Sequence, residues 1–138
     1  MRKQGVGELA GLHLLLAEDN ELNSEIATAL LEEQGASITA VENGRLALEA
    51  IQNAAPRTYD AILMDVMMPE MNGLEATRCI RAFEGKGPGE GTPIIAMTAN
   101  VFADDVKACL DAGMNSHVGK PLDMKVLIGE ILKYTNAR

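Results

Sequence analysis

The chain has 138 residues, of which 47% are hydrophobic and 23% are charged, a balance typical of one globular domain with a packed core. A formal net charge of −8 disfavours binding of nucleic acid or of an anionic membrane surface by this domain, and no apolar stretch reaches the roughly 20 residues of a membrane-spanning helix. Cys79 and Cys109 fall in predicted helices, which indicates small buried side chains in a reducing, cytoplasmic environment rather than a disulfide framework. Residues 1–11 lack an apolar segment of signal-peptide length, so we interpret 1–11 as a linker or as residues added for expression, and 12–138 as the domain.

From residue 12 onward, short apolar or β-rich runs alternate with stretches in which apolar residues have helical spacing. The predicted strands are Leu12–Ala17, Ser37–Val41, Ala61–Met64, Pro93–Met97 and His117–Val118. The predicted helices are Leu22–Gln34, Arg45–Asn53, Leu74–Phe83, Ala103–Ala112 and Met124–Tyr134. Asn43 and Asp123 are suitable N-caps, and Gly35 and Gly113 are suitable glycines at helix C-termini.

This alternation predicts successive right-handed βαβ units, and therefore an α/β domain in which helices cover both faces of a parallel sheet. Such sheets bury both faces, which explains why LHLLLA, AILM and PIIAM are continuous apolar runs. The first predicted helix carries Ile26, Leu30 and Leu31 at helical spacing. In the third, we place Ile80 on the inner face and Arg81 on the outer face.

Polar side chains follow four of the five predicted strands, at the edge where open parallel sheets bind ligands. They are Glu18 and Asp19, Asp65, Thr98, and Lys120. Neighbouring carboxylates repel one another unless a cation neutralises them, and Mg²⁺ suits a site with few oxygen ligands from the protein. A hydroxyl and an ammonium nearby can donate to anionic oxygens. Together these groups indicate phosphoryl transfer onto an aspartate.

Each of these groups has an ordinary structural interpretation when it is taken alone. Glu18 and Asp19 could cap the first helix, while Asp65 and Thr98 could each close a turn. Lys120 and the proline after it could form a plain loop. Because all of them fall at one edge of one predicted sheet, a common site explains them better than several independent turns and caps.

Four motifs give the chain a resemblance to the receiver domains of response regulators in two-component signalling. They are the acidic pair in LLLAEDN, the segment MDVMMPEMNG, the threonine in IIAMTAN and the lysine in VGKPL. The resemblance extends from about Leu12 to Tyr134, and the sequence of these motifs is most similar to that of receivers in hybrid sensor histidine kinases. It implies a single flavodoxin-like domain of three layers, with a sheet of order 2-1-3-4-5 and Asp65 as phosphoacceptor.

The same resemblance implies a cofactor and partners. Mg²⁺, with Mn²⁺ as a substitute, would be held by Glu18, Asp19, Asp65 and the backbone carbonyl of Met67. Thr98 and Lys120 would bind the phosphoryl oxygens, and the peptide bond before the proline would be cis. A histidine kinase domain would supply the phosphoryl group, and a histidine phosphotransfer domain could be the next phosphoryl acceptor. The residues expected to dock these partners are Asn20, Leu22, Pro121 and Leu122, of which Leu22 could equally be a buried staple.

The fifth strand departs from the family pattern, because His117 stands where receivers commonly have tyrosine or phenylalanine. The resemblance implies that phosphorylation draws the Thr98 hydroxyl inward and makes room for the ring at position 117. The alternative is that His117 is a half-exposed spacer without a switching role.

Two further positions are those that tune hydrolysis of the phosphoaspartate in the family, Met67 and Asn100. One hypothesis is that the Met67 side chain shields the phosphorylated site from water. The other is that it packs on Met68 and Met71 as an ordinary loop methionine.

Other classes of function compete with this interpretation. A phosphatase of the haloacid-dehalogenase type would also form an aspartyl phosphate, but it keeps a second carboxylate where this chain has Met67. A degenerate receiver that only binds partners is disfavoured by the complete set of acids, threonine and lysine. A stand-alone response regulator with one domain remains an alternative to the hybrid kinase.

Overall fold

The computed structural model describes residues 7–87, 89–99 and 103–135. Its strands are β1 (His13–Ala17), β2 (Ser37–Val41), β3 (Ala61–Asp65), β4 (Ile94–Thr98) and β5 (Ser116–Gly119). Its helices are α1 (Glu21–Glu33), α2 (Gly44–Gln52), α3 (Gly73–Glu84), α4 (Ala103–Ala112) and α5 (Met124–Thr135). Every predicted strand and helix is present, and no boundary differs from its prediction by more than one residue.

The strands form one parallel sheet in the order β2-β1-β3-β4-β5, which confirms the predicted fold class. β1, β3 and β4 are almost wholly buried, as their continuous apolar sequences predict. One face packs a cluster of buried residues against α1 and α5, and the other packs a second cluster against α2, α3 and α4. The domain therefore has three layers, with the carboxyl ends of its central strands at one edge.

Local sequence chemistry explains where the helices begin and end. The side chain of Asn43 accepts a hydrogen bond from the Leu46 amide at 2.8 Å and caps α2. Asp123 accepts from the amide of Lys125 at 2.9 Å at the start of α5. Gly35, after α1, has φ +94°, a conformation that favours glycine and ends the helix as predicted.

The prediction that Arg81 faces solvent is wrong. Only 9% of its side chain is exposed, and its guanidinium reaches across the amino edge of the sheet. It donates to the carbonyl oxygens of Gly113 (2.9 Å) and Thr92 (2.8 Å), to Asn115 Oδ1 (2.9 Å) and to Glu84 Oε1 (2.9 Å). Thr92, Gly113 and Asn115 belong to the loops before β4 and β5, whereas Glu84 ends α3. The buried charge of Arg81 therefore joins two loops to α3.

Residues 7–11, which the sequence assigned to a linker, contact the domain. Leu9 is fully buried in the core cluster beneath α1, and its amide donates to the Gln34 carbonyl at 2.9 Å. A Cβ on Gly7 would lie 2.2 Å from that same carbonyl oxygen, so the backbones pass too closely for a larger residue. The boundary at residue 12 stays a prediction, but the structure ties the preceding turn to the end of α1.

Candidate metal site at the carboxyl edge of the sheet

The fold brings together three carboxylates that the sequence singled out. Glu18 follows β1, Asp65 ends β3, and Asp19 is next to Glu18; one oxygen from each lies within 4.8 Å of the others. Glu18 and Asp65 are buried, whereas Asp19 is exposed and lines the mouth of the site. The adjacency of β1 and β3 in the sheet is what makes this cluster possible.

Lys120 extends into the same site from the loop after β5. Its Nζ lies 3.0 Å from Glu18 Oε1 and 3.1 Å from Asp65 Oδ2, so it bridges the two buried carboxylates. Its backbone amide donates to the Thr98 carbonyl at 2.8 Å, which fixes the loop beside the end of β4. The Lys120–Pro121 peptide bond is cis, as the resemblance implied.

The pKa values of the two buried carboxylates shift in opposite directions. Burial raises the pKa of Asp65 to about 6, with a further contribution from Glu18, and Lys120 only partly opposes it. Burial would also raise the pKa of Glu18, but hydrogen bonds from the Asn20 amide and from Lys120 bring it below its ordinary value. The pKa of Lys120 is raised because its two carboxylate partners outweigh the effect of burial. The site thus holds more negative charge than one lysine compensates.

A hard divalent cation fits this arrangement. The donor set is made of oxygens, it is anionic, and it is open on the side of Asp19. These are the properties of Mg²⁺ sites, in which a few carboxylates bind and water completes the shell. The raised pKa of Asp65 has the same physical origin, since it reports unneutralised charge in a buried place.

Thr98 and His117 lie on the same face of the sheet. His117 is the register partner of Ala96, and Thr98 lies two residues beyond Ala96 along β4. Because side chains alternate along a strand, both face the helical layer of α2, α3 and α4. Thr98 is buried and His117 half-buried, an arrangement compatible with the predicted switch, which stays a prediction.

The loop after Asp65 presents its methionines unequally. Met67 is 76% exposed, whereas Met68 and Met71 are partly buried against the core cluster of α2, α3 and α4. Packing on its neighbours therefore does not account for Met67, and the water-shielding hypothesis stays a prediction. Asn100 lies outside the described residues.

An apolar groove of about 540 Å³ lies between α1 and the β5–α5 loop, and two of the predicted docking residues, Pro121 and Leu122, line it. Asn20, Leu22 and Pro121 are exposed, and Leu122 is half-buried in the wall of the groove. Leu22 is 63% exposed and is therefore not a buried staple. The core contacts of α1 come instead from the opposite side of the helix.

Sequence reasoning missed two neighbours of Leu22 on this surface. Ile26 and Leu30 are 50% and 39% exposed and continue the stripe of Leu22 at four-residue spacing. That spacing was visible in the sequence, but it resembled the core face of an ordinary amphipathic helix. We call Leu22, Ile26 and Leu30 the α1 stripe.

Comparison with known proteins identifies the family to which this fold belongs. The sequence profile of the response regulator receiver domain matches residues 14–132. The chain belongs to this family. A probable histidine kinase 1 of Oryza sativa subsp. indica is 41% identical to the receiver domain over 140 residues, which cover 81% of this chain and 14% of that protein.

Two solved structures extend the comparison. The receiver domain of a sensor histidine kinase from Pseudomonas aeruginosa PAO1, with a magnesium ion coordinated in its active-site cleft, is 38% identical, with a TM-score of 0.79 over 92% of this chain and 99% of that chain. A Saccharomyces cerevisiae response regulator receiver domain, co-crystallised with its histidine phosphotransfer protein, is 26% identical, with a TM-score of 0.81 over 91% of this chain and 89% of that chain. These matches favour the receiver over the phosphatase alternative. Among the residues that the structure describes, no helix combines the length and apolarity needed to cross a bilayer.

Proposed function

We propose that this receiver domain accepts a phosphoryl group on Asp65 from a phosphohistidine. The observation that carries the proposal is the cluster of Glu18, Asp19 and Asp65 with the Lys120 ammonium 3.1 Å from Asp65 Oδ2. An oxygen of Asp65 attacks phosphorus as the bond to the histidine nitrogen breaks, and the imidazole that leaves takes up a proton. Lys120 then moves from its carboxylate partners to a phosphoryl oxygen, and Thr98 donates its hydroxyl to another.

Glu18, Asp19 and Asp65 would hold Mg²⁺ together with the Met67 carbonyl, and the bound ion would neutralise charge on the phosphoryl oxygens. Mn²⁺ should replace it, because the donor set consists of oxygens. The Pseudomonas receiver that holds magnesium in its cleft supports this assignment.

We infer that the α1 stripe and the adjoining groove receive a helical partner with a basic rim. The stripe is apolar and exposed, and the acidic site lies at its end, so a helix bundle that carries the phosphohistidine could bind both. The yeast receiver crystallised with a phosphotransfer protein supports a partner of this kind. The parent protein is proposed to be a hybrid histidine kinase with this domain in the cytoplasm, in line with the plant kinase relative.

The phosphoacceptor assignment is tested with acetyl phosphate and Mg²⁺, followed by intact mass. Wild type should gain one phosphate and lose it slowly, while Asp65→Asn should gain none and Lys120→Ala should react much more slowly. Continuous release of phosphate over many turnovers would instead identify a hydrolase. Equal labelling of wild type and Asp65→Asn would exclude Asp65 as the acceptor.

The docking surface is tested by comparing two phosphodonors. Leu22→Asp should slow transfer from a phosphorylated histidine phosphotransfer protein much more than it slows the reaction with acetyl phosphate. Leu110→Asp is the matched control, because Leu110 is also apolar and 48% exposed but lies on α4, on the other face of the sheet. Equal effects of the two substitutions on protein-dependent transfer would contradict the docking proposal.

The switch is proposed to couple Thr98 and His117. Phosphorylation should change the NMR environment of the His117 ring in wild type and not in Thr98→Ala. An unchanged ring in phosphorylated wild type would leave His117 as a spacer.

A further inference from the structure

The loop that follows Asp65, residues 66–72, is attached to the domain at both of its ends. At its base, the Gly73 amide donates to the Val66 carbonyl at 2.9 Å, and the Val66 amide donates to the Met97 carbonyl at 3.2 Å. At its far end, the Met71 carbonyl accepts from the Gly44 amide at 3.0 Å. We call residues 66–72 the acceptor loop. Met67 lies between the two attachments.

The far attachment is built from the start of α2. Asn43 is 5% exposed, and its Nδ2 donates to Glu70 Oε2 at 2.9 Å while its Oδ1 caps α2 by accepting from the Leu46 amide. Arg45 Nε lies 3.6 Å from the other oxygen of Glu70. One asparagine thus uses its acceptor for the helix and its donor for the loop.

Steric fit makes the same attachment specific. A Cβ on Gly44 would lie 2.4 Å from the Met71 carbonyl oxygen and 2.9 Å from the Ala76 side chain, so only glycine admits the loop this closely. Glu70 has φ +63°, a left-handed conformation that a non-glycine residue keeps only when its surroundings hold it. The contacts from Asn43 and Arg45 stabilise this conformation of Glu70.

We propose that Asn43, Gly44 and Glu70 form a clasp that positions the acceptor loop, and with it the Met67 carbonyl, for binding of the cation. The inference rests on the proposed function, because Met67 is a ligand only if the site binds Mg²⁺. Asn43, Gly44 and Glu70 are positioning residues. Without the clasp, the loop would keep its base but lose the geometry of its exposed middle, where Met67 lies.

The test exchanges the donor and the acceptor of the clasp. Asn43→Asp keeps an oxygen for the Leu46 amide but sets a second carboxylate against Glu70. Glu70→Gln in the same chain restores a hydrogen bond in the opposite direction, at the net charge of wild type. Asn53→Asp is the control for charge, because this substitution adds the same charge at the exposed C-terminal end of α2, outside the acceptor loop.

Two readouts separate positioning from a purely structural role. The first is the Kd for Mg²⁺ of the folded protein, from an NMR titration of backbone amides. The second is hydrogen exchange of the Gly44 amide in metal-free protein. Asn43→Asp should weaken Mg²⁺ binding about tenfold, as loss of an outer positioning contact does in other metal sites, and should speed exchange at Gly44. The double variant should recover both, and Asn53→Asp should bind Mg²⁺ as wild type does.

Added negative charge acting directly on the cation would strengthen its binding, so weakening by Asn43→Asp must act through the loop, by repulsion between Asp and Glu70. A folded Asn43→Asp protein with the wild-type Kd would overturn the proposal, and so would a loss that Glu70→Gln fails to restore. Gly44→Ala, which pushes the loop away sterically, should reproduce the loss independently. If wild type itself binds no Mg²⁺, the proposed function fails, while exchange at Gly44 still decides whether the clasp exists.

Discussion

Replacing Arg81 with methionine removes a buried charge that holds three segments together. The aliphatic part of the side chain is preserved, but four hydrogen bonds are lost, to Gly113, Thr92, Asn115 and Glu84. Removing one partner of a buried ion pair costs about 3–5 kcal/mol, because the other charge remains buried and unpaired. Glu84 keeps two donors, the amide and hydroxyl of Thr92 at 3.1 and 2.6 Å, so we expect the lower part of this range, about 3–4 kcal/mol.

Urea denaturation measures this loss as a fall in the midpoint at unchanged slope. Adding Glu84→Gln to Arg81→Met should recover about 1–2 kcal/mol, because it removes the unpaired charge. Arg78→Met is the matched control: Arg78 lies on the same helix but is exposed, so its effect should stay within about 0.5 kcal/mol. If Arg81→Met cost no more than Arg78→Met, the buried network would not contribute to stability and this reasoning would be refuted.

Three further predictions concern stability and reactivity. Metal-free Asp65→Asn should be more stable than wild type at pH 7 by about 1–2 kcal/mol. This value follows from the rise of the Asp65 pKa from 3.8 to about 6, and it is reduced to allow for solvent screening. Because the pKa of Asp65 is higher in the folded state than in the unfolded state, wild type loses stability as pH rises from about 4 through about 6. Thermal denaturation should therefore give the two proteins equal stability near pH 3 and an increasing difference above it. A difference that does not change with pH would contradict the assignment. Leu9→Ala should lower the free energy of unfolding by about 2–4 kcal/mol in urea, because Leu9 is fully buried, whereas a value near zero would make the N-terminal turn a true linker. Iodoacetamide should modify native Cys79 before Cys109, which is 2% exposed and whose thiol pKa is raised by burial; mass spectrometry showing the reverse order would contradict the packing of α4.

The secondary structure could be predicted because its causes are local. Asn43 caps α2, Gly35 ends α1, and the apolar runs are the buried strands, since each signal depends on residues a few positions apart. Prediction failed for residues whose burial depends on contacts with parts of the chain that are distant in sequence. The helical spacing of Ile26, Leu30 and Leu31 did not show which of them is buried, and α1 meets the sheet through Ala27 and Leu31. Arg81 looked like a surface residue, but its partners belong to loops that pack on α3 only in the folded domain.

The site was predicted in part for the same reason. The rule that parallel strands present their carboxyl ends at one edge placed Glu18, Asp65 and Lys120 near each other without coordinates. The clasp between Asn43 and Glu70 was not predicted, although the asparagine was identified as a cap. Its second hydrogen bond joins residues 27 positions apart, and no periodic pattern reports such a contact.

By itself, the sequence determined the order of strands and helices and the chemistry at the strand ends, because both follow from short-range periodicity and from chain direction. Only the tertiary structure decided which of those groups touch. Lys120 reaches Glu18 across 102 residues of chain because strand order and the loop after β5 bring them within 3.0 Å. Distances of this kind depend on how every layer packs at once, and no local segment of the chain contains them.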